Sequence, residues 1–221
     1  MKFLKIVAQW LFILCLPLLL LTAGLSIAMN TKALYEYGFG KYDIAQRTGI
    51  APEELTKAAN GLISYFNSDE EYINLTVTKD GQPFTLFNDR EVQHLKDVKG
   101  LFWLGYYVLI GTGTYALIFM GVTLLWWRDR RRFGWGLFGG GVLTLALMAL
   151  IGVIAAVDFT WFFTQFHLLS FANDLWLLNP ATDYLLMMFP EGFWFDAVMY
   201  IAIGVGVTAI ILAGLGWWRR R

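Results

Sequence analysis

VLIGTGTYALIFMGVTLLWWRDRRR, residues 108–132, decides the fold of this 221-residue chain. The stretch runs through apolar residues without an acid or a base, meets Trp126 and Trp127, and ends in four arginines around Asp129. About 20 apolar helical residues cross the hydrocarbon core of a bilayer, and tryptophan and arginine are typical of its cytoplasmic edge. The stretch therefore predicts the inner end of a transmembrane helix.

Three further segments have the same character, in a chain that is 57% apolar and only 15% charged. The four predicted transmembrane segments are 1–29, 101–127, 133–157 and 194–218. Beyond Lys2 and Lys5 at the start, the only Asp, Glu, Lys or Arg within them is Asp196. The first segment is too long for the apolar part of a signal peptide, so we predict that it stays as a span.

Opposite charges on the two sides of the membrane explain why the formal net charge is +0. Nine basic residues lie before the first span, in the 128–132 loop or in the 219–221 tail, against one acid, which gives +8. The remaining segments, 30–100 and 158–193, together with Asp196 carry −8. The positive-inside rule therefore predicts cytoplasmic N- and C-termini and two extracellular segments. Zero net charge argues against a nucleic-acid binder, and Cys15 alone cannot form a disulfide framework or a cysteine zinc site.

The first extracellular segment, 30–100, has the signals of a small folded cap. Thr48 and Pro52 with two following glutamates indicate a helix start, and the apolar spacing continues to Phe66. Alternating residues on both sides of Asp80-Gly81 predict a β-hairpin with strands over 74–78 and 84–87. Asn88 and Glu91 form a capping-box pattern, so a helix should begin near Asp89. The predicted fold is a mainly α membrane protein, a four-transmembrane-helix bundle with a small α+β extracellular cap.

The second extracellular segment, 158–193, is rich in aromatic residues and has no lysine or arginine. Aromatic rings with sparse polar groups are typical of the interfacial zone of a bilayer. We expect short helices lying in the outer interface, broken at Asn179-Pro180 and at Phe189-Pro190.

The two histidines of the chain, His94 and His167, both fall in the extracellular segments. On its predicted helix His94 has Arg90, Glu91 and Asp97 within three or four residues. A carboxylate partner can hold the imidazole in the orientation that a general base needs. A histidine among charges on an exposed helix is more often simply solvated, so the spacing alone favours that reading over a catalytic role. The His-x-x-Asp pattern is weak as a metal site, and no Gly-x-Ser-x-Gly turn accompanies Ser170.

Two motifs resemble those of a known family. Residues 88–99, NDREVQHLKDVK, resemble the first motif of the bacterial lipoprotein intramolecular transacylase family, which has four membrane passes. The second motif of that family resembles a spaced set of residues here: Phe-His at 166–167, Phe171, Asn-Asp-Leu-Trp at 173–176, Pro180, Thr-Asp at 182–183 and Phe-Pro-Glu at 189–191. The resemblance extends over essentially the whole chain.

The resemblance implies transfer of the sn-2 acyl chain of a diacylglyceryl-Cys lipoprotein onto the α-amine of its N-terminal cysteine, giving an N-acyl lyso-form. It makes His94 and His167 the catalytic pair, without assigning base and acid between them. Further residues are expected to support this pair or to contact the acyl chains: Glu91, Asp97 and Asp174 as orienting carboxylates, Arg90, Asn88 and Asn173 as oxyanion donors, and Phe166, Trp176 and Tyr184 as substrate-binding walls.

The same resemblance implies an acyltransferase of the bacterial plasma membrane, with its active site at the outer leaflet and with no cofactor or metal. The expected partners are a diacylated lipoprotein and membrane lipid, with no nucleic acid, and a monomer is favoured. Two other classes stay open: a non-enzymatic accessory or sensor protein with a partner-binding extracellular cap, and a metal-dependent hydrolase.

Overall fold

The computed structural model describes residues 2–220, and most of them are helical. Its elements, in chain order, are α1 (Lys2–Met29), α2 (Lys32–Lys41), α3 (Ile44–Thr48), α4 (Pro52–Phe66), β1 (Thr76–Lys79), β2 (Gln82–Thr85), α5 (Asp89–Gly121), a π-helical turn (Val122–Trp126), α6 (Arg130–Val157), α7 (Phe159–Ser170), α8 (Tyr184–Met188) and α9 (Glu191–Arg219).

Four of these helices are long and apolar enough to cross a membrane, as the sequence predicts. They are α1, α5 with its π-helical turn, α6 and α9. Three of them begin earlier than the apolar segments do, because α5 starts at Asp89, α6 at Arg130 and α9 at Glu191. The first three turns of α5 are therefore polar and precede the apolar segment that starts at Leu101.

The chain divides into two compact units. The first consists of the described parts of Met1–Ser26, Leu104–Val157 and Met199–Arg221, and is built from the four apolar helices. The second consists of Ile27–Trp103 and Asp158–Val198, so it combines both predicted extracellular segments. The candidate site residues of the sequence analysis all belong to this second unit.

Small residues allow the apolar helices of the first unit to pack closely. A Cβ placed on Gly141 of α6 would lie 2.8 Å from the carbonyl oxygen of Ala209 on α9, and one on Gly140 would lie 2.7 Å from Leu16 on α1. The rings of Phe12 and Phe119 stack with centroids 4.5 Å apart. The glycines of α6 are thus used for packing within the chain, as small residues in membrane helices commonly are.

The core of the second unit draws on both external segments. Tyr35, Leu62 and Val77 of the first segment belong to one buried cluster with Met188 and Phe189 of the second. The second segment is therefore more than a set of interfacial helices, since it completes a core that the first segment alone would leave small. Its predicted breaks are confirmed, because Pro180 lies between α7 and α8 and Pro190 lies directly before α9.

The hairpin is confirmed, with both strands shifted by about two residues from the predicted ranges. Lys79 pairs with Gln82 in an antiparallel register, and Asp80 and Gly81 between them have φ angles of 53° and 74°. A two-residue turn with both φ positive matches the twist of the flanking strands and favours Asp-Gly. Thr48 ends α3 and does not cap α4, which begins at Pro52 as predicted.

The sequence analysis missed α2 and α3. The sequence of α2, KALYEYGFGK, carries two glycines and little apolar periodicity, so its helical pattern is weak. Packing explains one of these glycines, because a Cβ on Gly38 would lie 2.3 Å from the ring of Phe193. The aromatic ring therefore occupies the space that any larger residue at position 38 would need.

Candidate functional site

The first turn of α5 fixes where His94 lies. Asn88 and Glu91 form the predicted capping box: the Asn88 N–H donates to Glu91 Oε2 at 2.7 Å, and the Glu91 N–H donates to Asn88 Oδ1 at 3.0 Å. Two N–H groups that a helix end leaves without partners are satisfied in this way. His94 follows in the second turn and is buried, with 6% of its surface exposed.

His167 lies one turn from the C-terminal end of α7. Asp158 precedes the helix and caps it, because its carboxylate accepts the Trp161 N–H at 2.9 Å. His167 Nδ1 lies 2.7 Å from the carbonyl oxygen of Phe163, four residues earlier. A carbonyl oxygen only accepts, so Nδ1 carries the proton in this hydrogen bond and Nε2 keeps its lone pair. The ring is 8% exposed.

The two imidazoles, 73 residues apart in the sequence, lie side by side. Their ring centroids are 6.1 Å apart, and the planes differ by 29°. Aromatic rings surround them: Phe171 lies 5.2 Å from His94 and 5.6 Å from His167, while Phe163 and Trp176 lie 4.4 and 4.9 Å from His167. We call His94, His167, Phe163, Phe171 and Trp176 the histidine box.

Burial keeps both imidazoles neutral near neutral pH. It lowers the pKa of His94 to about 4, with a smaller contribution from the neighbouring His167, while the Asp97 carboxylate opposes the shift. Burial also lowers the pKa of His167, and its hydrogen bond to the Phe163 carbonyl opposes this change. A buried site disfavours the charged form of a histidine, so both rings are available as neutral bases or N–H donors.

One nitrogen of the box has no hydrogen-bond partner. Nδ1 of His94 is one of two buried side-chain polar atoms without a partner among residues 2–220, the other being Oγ1 of Thr123. Leaving such a group unsatisfied costs about 1–3 kcal/mol, which a ligand group placed there would relieve. Within residues 2–220, no group of three or more His, Cys, Asp or Glu side chains is arranged to hold a metal ion.

The polar residues expected to orient the histidines or donate to an oxyanion are engaged elsewhere. Asp97 Oδ2 accepts from Asn173 Nδ2 at 2.8 Å, and Arg90 Nη2 donates to the Asp174 carbonyl oxygen at 2.6 Å. Glu91 is 1% exposed and accepts from two backbone N–H groups. These contacts join α5 to the loop after α7, which carries two members of the histidine box.

Two further contacts complete this picture. Asn88 Nδ2 donates to Asp183 Oδ1 at 3.1 Å, so it too joins α5 to the second external segment. Tyr184 contacts the hairpin: its hydroxyl accepts from Lys79 Nζ at 2.5 Å, and its ring lies 5.0 Å from Phe84. Its role as a wall of the substrate site stays a prediction.

Phe166 and Trp176, the other two expected wall residues, do lie beside His167. Their ring centroids are 5.4 and 4.9 Å from its own. Sequence reasoning missed Phe163 and Phe171 as members of the site. A signal was present for Phe163, because it lies four positions before His167 on the same face of α7, whereas Phe171 follows the end of that helix in extended backbone.

The fold and the paired histidines define a class of protein: a four-pass integral membrane protein that holds two neutral imidazoles within an aromatic enclosure. A model of the family described as lipoprotein intramolecular transacylase, Lit, matches residues 10–194. The chain therefore belongs to the Lit family. The family expected from the two motifs is confirmed.

Two solved structures and one sequence relative are similar to this chain. The structure of the membrane-integral lipoprotein intramolecular transacylase Lit from Bacillus cereus superposes with a TM-score of 0.83 at 20% identity, covering 99% of this chain and 96% of that one. A structure of the same protein with a histidine-to-alanine mutation gives a TM-score of 0.78, covering 99% and 94%. An uncharacterized protein of Aquifex aeolicus is 29% identical over 192 residues, which is 83% of this chain and 82% of its own length. The structural likeness shows that the fold is shared.

Proposed function

We propose that this protein moves the sn-2 acyl chain of a diacylglyceryl-Cys lipoprotein onto the α-amine of the same cysteine. The observation that carries the proposal is the histidine box, in which His94 and His167 stand 6.1 Å apart and are shielded from water. Membership of the Lit family supports a lipoprotein as the substrate. In this transfer a C–N bond forms, the sn-2 C–O ester bond breaks, and one proton passes from the amine to the sn-2 oxygen.

His167 is proposed as the base. Its hydrogen bond to Phe163 holds the proton on Nδ1 and leaves the Nε2 lone pair to take a proton from the attacking amine. The carbonyl partner also stabilises the imidazolium that forms, since it accepts from Nδ1 in both protonation states. A positioned general base contributes about 10²–10⁴-fold to the rate.

His94 is proposed to act on the ester. Its neutral ring can donate an N–H to the carbonyl oxygen as negative charge develops, and then to the departing sn-2 oxygen. The unpartnered Nδ1 gives it a buried polar atom that a substrate group would satisfy. The proton that His167 takes from the amine finally replaces the one given to the sn-2 oxygen, so both histidines return to their initial states.

Proximity supplies much of the remaining acceleration. Both reacting groups belong to one molecule, and holding two such groups in attacking geometry is worth about 7–11 kcal/mol. Phe163, Phe171 and Trp176 enclose the rings and are proposed to exclude water, which would otherwise hydrolyse the ester. Phe166, which is 41% exposed, is proposed to contact an acyl chain.

We further propose that the termini are cytoplasmic and the histidine box is at the outer leaflet of a bacterial plasma membrane, in a monomer surrounded by lipid. The basic clusters at 2–5, 128–132 and 219–221 support this orientation by the positive-inside rule. A cysteine introduced at Lys57 should react with an impermeant thiol reagent in intact cells, whereas one at Arg131 should react only after lysis. The reverse pattern would refute the orientation.

The reaction is tested with a purified diacylated lipoprotein in mixed micelles. Intramolecular transfer leaves the mass unchanged, so the N-terminal peptide is fragmented to locate each acyl chain, and the free amine is counted with an amine-reactive reagent. We expect the wild-type protein to block the amine and free the sn-2 hydroxyl. His94→Ala and His167→Ala should each lower the rate at least 100-fold.

Lys57→Ala is the control, because Lys57 is an exposed side chain of α4 that pairs with Glu54 on the same helix. Its rate should equal that of the wild type. Unchanged acyl positions with the wild-type protein, or wild-type rates in both histidine variants, would contradict the proposed function.

A further inference from the structure

Glu91 is a buried carboxylate that joins the starts of two helices. Oε2 accepts the Asn88 N–H at the start of α5, and Oε1 accepts the Leu185 N–H at the start of α8, at 2.6 Å. The two donors lie 97 residues apart in the sequence, and the side chain is 1% exposed. Each oxygen thus satisfies an N–H group that a helix start leaves without a partner inside the helix.

The Glu91 carboxylate also fixes the C-terminal end of the loop between α7 and α8, which lines the histidine box. The loop between α7 and α8 carries Phe171 and Trp176, and α8 begins at Tyr184 directly after it. The other links of this loop to the start of α5 are exposed: Asn173 to Asp97, Arg90 to Asp174 and Asn88 to Asp183. Solvent screens exposed polar pairs more than buried ones, so the buried link through Glu91 is the strongest of the set.

We infer that Glu91 is a positioning residue that fixes α5, and with it His94, against the loop and helix that follow His167. The inference rests on the proposed function, because it concerns the geometry of that reaction. Glu91 acts on the reaction only through the His94–His167 arrangement. A misplacement of about 1 Å far from the reacting atoms can lower a rate by about 10²-fold.

Both carboxylate oxygens of Glu91 are needed to accept the N–H groups of Asn88 and Leu185. Two backbone N–H groups point at the side chain, and glutamine offers one oxygen and one NH₂ group, so it can satisfy only one of them. Aspartate keeps the charge but is one methylene shorter, so it cannot reach both Asn88 and Leu185. Neither substitution removes a group that contacts the substrate.

The experiment compares Glu91→Gln and Glu91→Asp with Glu54→Gln. Glu54 is a matched control, because its carboxylate also accepts a backbone N–H from a distant segment, that of Thr78 at 2.6 Å, away from the histidine box. Two readouts are used: kcat and KM for acyl migration, and the nitrogen-15 spectrum of labelled histidine. The chain has only two histidines, so the spectrum contains only the imidazoles of His94 and His167.

We expect Glu91→Gln and Glu91→Asp to lower kcat 10- to 100-fold with KM changed less than threefold, and to shift the His94 imidazole signals. Glu54→Gln should match the wild type in both readouts. Each rate is divided by the fraction of the protein that is folded, as measured by size-exclusion chromatography. If Glu91→Gln does not fold, the test of the inference rests on Glu91→Asp. Wild-type kcat with unchanged imidazole signals in a folded Glu91 variant would overturn the inference. The spectra do not depend on turnover, so a protein that lacks transacylase activity would refute the proposed function while still testing the position of Glu91.

Discussion

Acid should destabilise this protein through His94, and replacing His94 should remove that part of the effect. In an unfolded chain a histidine has a pKa of about 6.5, whereas burial lowers the pKa of His94 to about 4 in the folded protein. A lowered folded-state pKa means that the unfolded chain takes up the proton first. The contribution of neutral His94 to the free energy of unfolding is therefore complete above pH 6.5, and it is lost progressively as the pH falls toward 4.

The magnitude follows from these two values. At pH 5 the unfolded histidine is almost fully protonated and the folded one is about one-tenth protonated, so the free energy of unfolding falls by about 2 kcal/mol relative to pH 7.5. Because His94 is only 6% exposed, screening by solvent does not reduce this change in the free energy of unfolding appreciably. Other groups also titrate over this range, and the test must therefore be differential.

The assay is reversible unfolding in mixed micelles at pH 7.5 and pH 5, for the wild type and for His94→Gln. Lowering the pH from 7.5 to 5 should reduce the free energy of unfolding of His94→Gln by about 2 kcal/mol less than that of the wild type. Labelled histidine gives an independent check, because both imidazole signals of the wild type should titrate below pH 6.5, one of them near pH 4. Equal losses in the two proteins, together with imidazole signals that titrate at or above pH 6.5, would refute the reasoning.

Three further changes test the packing. Met188→Ala should lower the free energy of unfolding by about 2–5 kcal/mol, since Met188 is 0% exposed; a loss under 1 kcal/mol would contradict its place in the core. Gly141→Leu should reduce the yield of folded protein, because its side chain would meet the Ala209 carbonyl of α9; normal yield and an unchanged melting temperature would contradict that contact. Gly81→Val should cost about 1–2 kcal/mol, measured by unfolding, because φ is +74° there, and a neutral result would exclude the positive φ.

Local signals in the sequence predict much of this fold. Apolar length gives the four spans, because the bilayer sets how many helical residues must be apolar. Asp80-Gly81 predicts the hairpin, and Asn88 with Glu91 predicts the start of α5, because turn and cap preferences depend on a few neighbouring residues. The weakly patterned α2 was missed, since packing of Gly38 under Phe193 stabilises it and local preference does not.

Composition and apolar length are enough to predict the number of spans and the separation of charge, and two motifs indicate the family and its pair of histidines. Which residues meet depends on tertiary packing. His94 and His167 stand together because the second external segment packs into the core of the first, a contact between residues distant in the chain that no local pattern encodes. The same packing turned Glu91 from an expected partner of His94 into a link between two helices, and placed Tyr184 against the hairpin. Side-chain partners depend on which surfaces are buried against each other, and that is settled only when the whole unit folds.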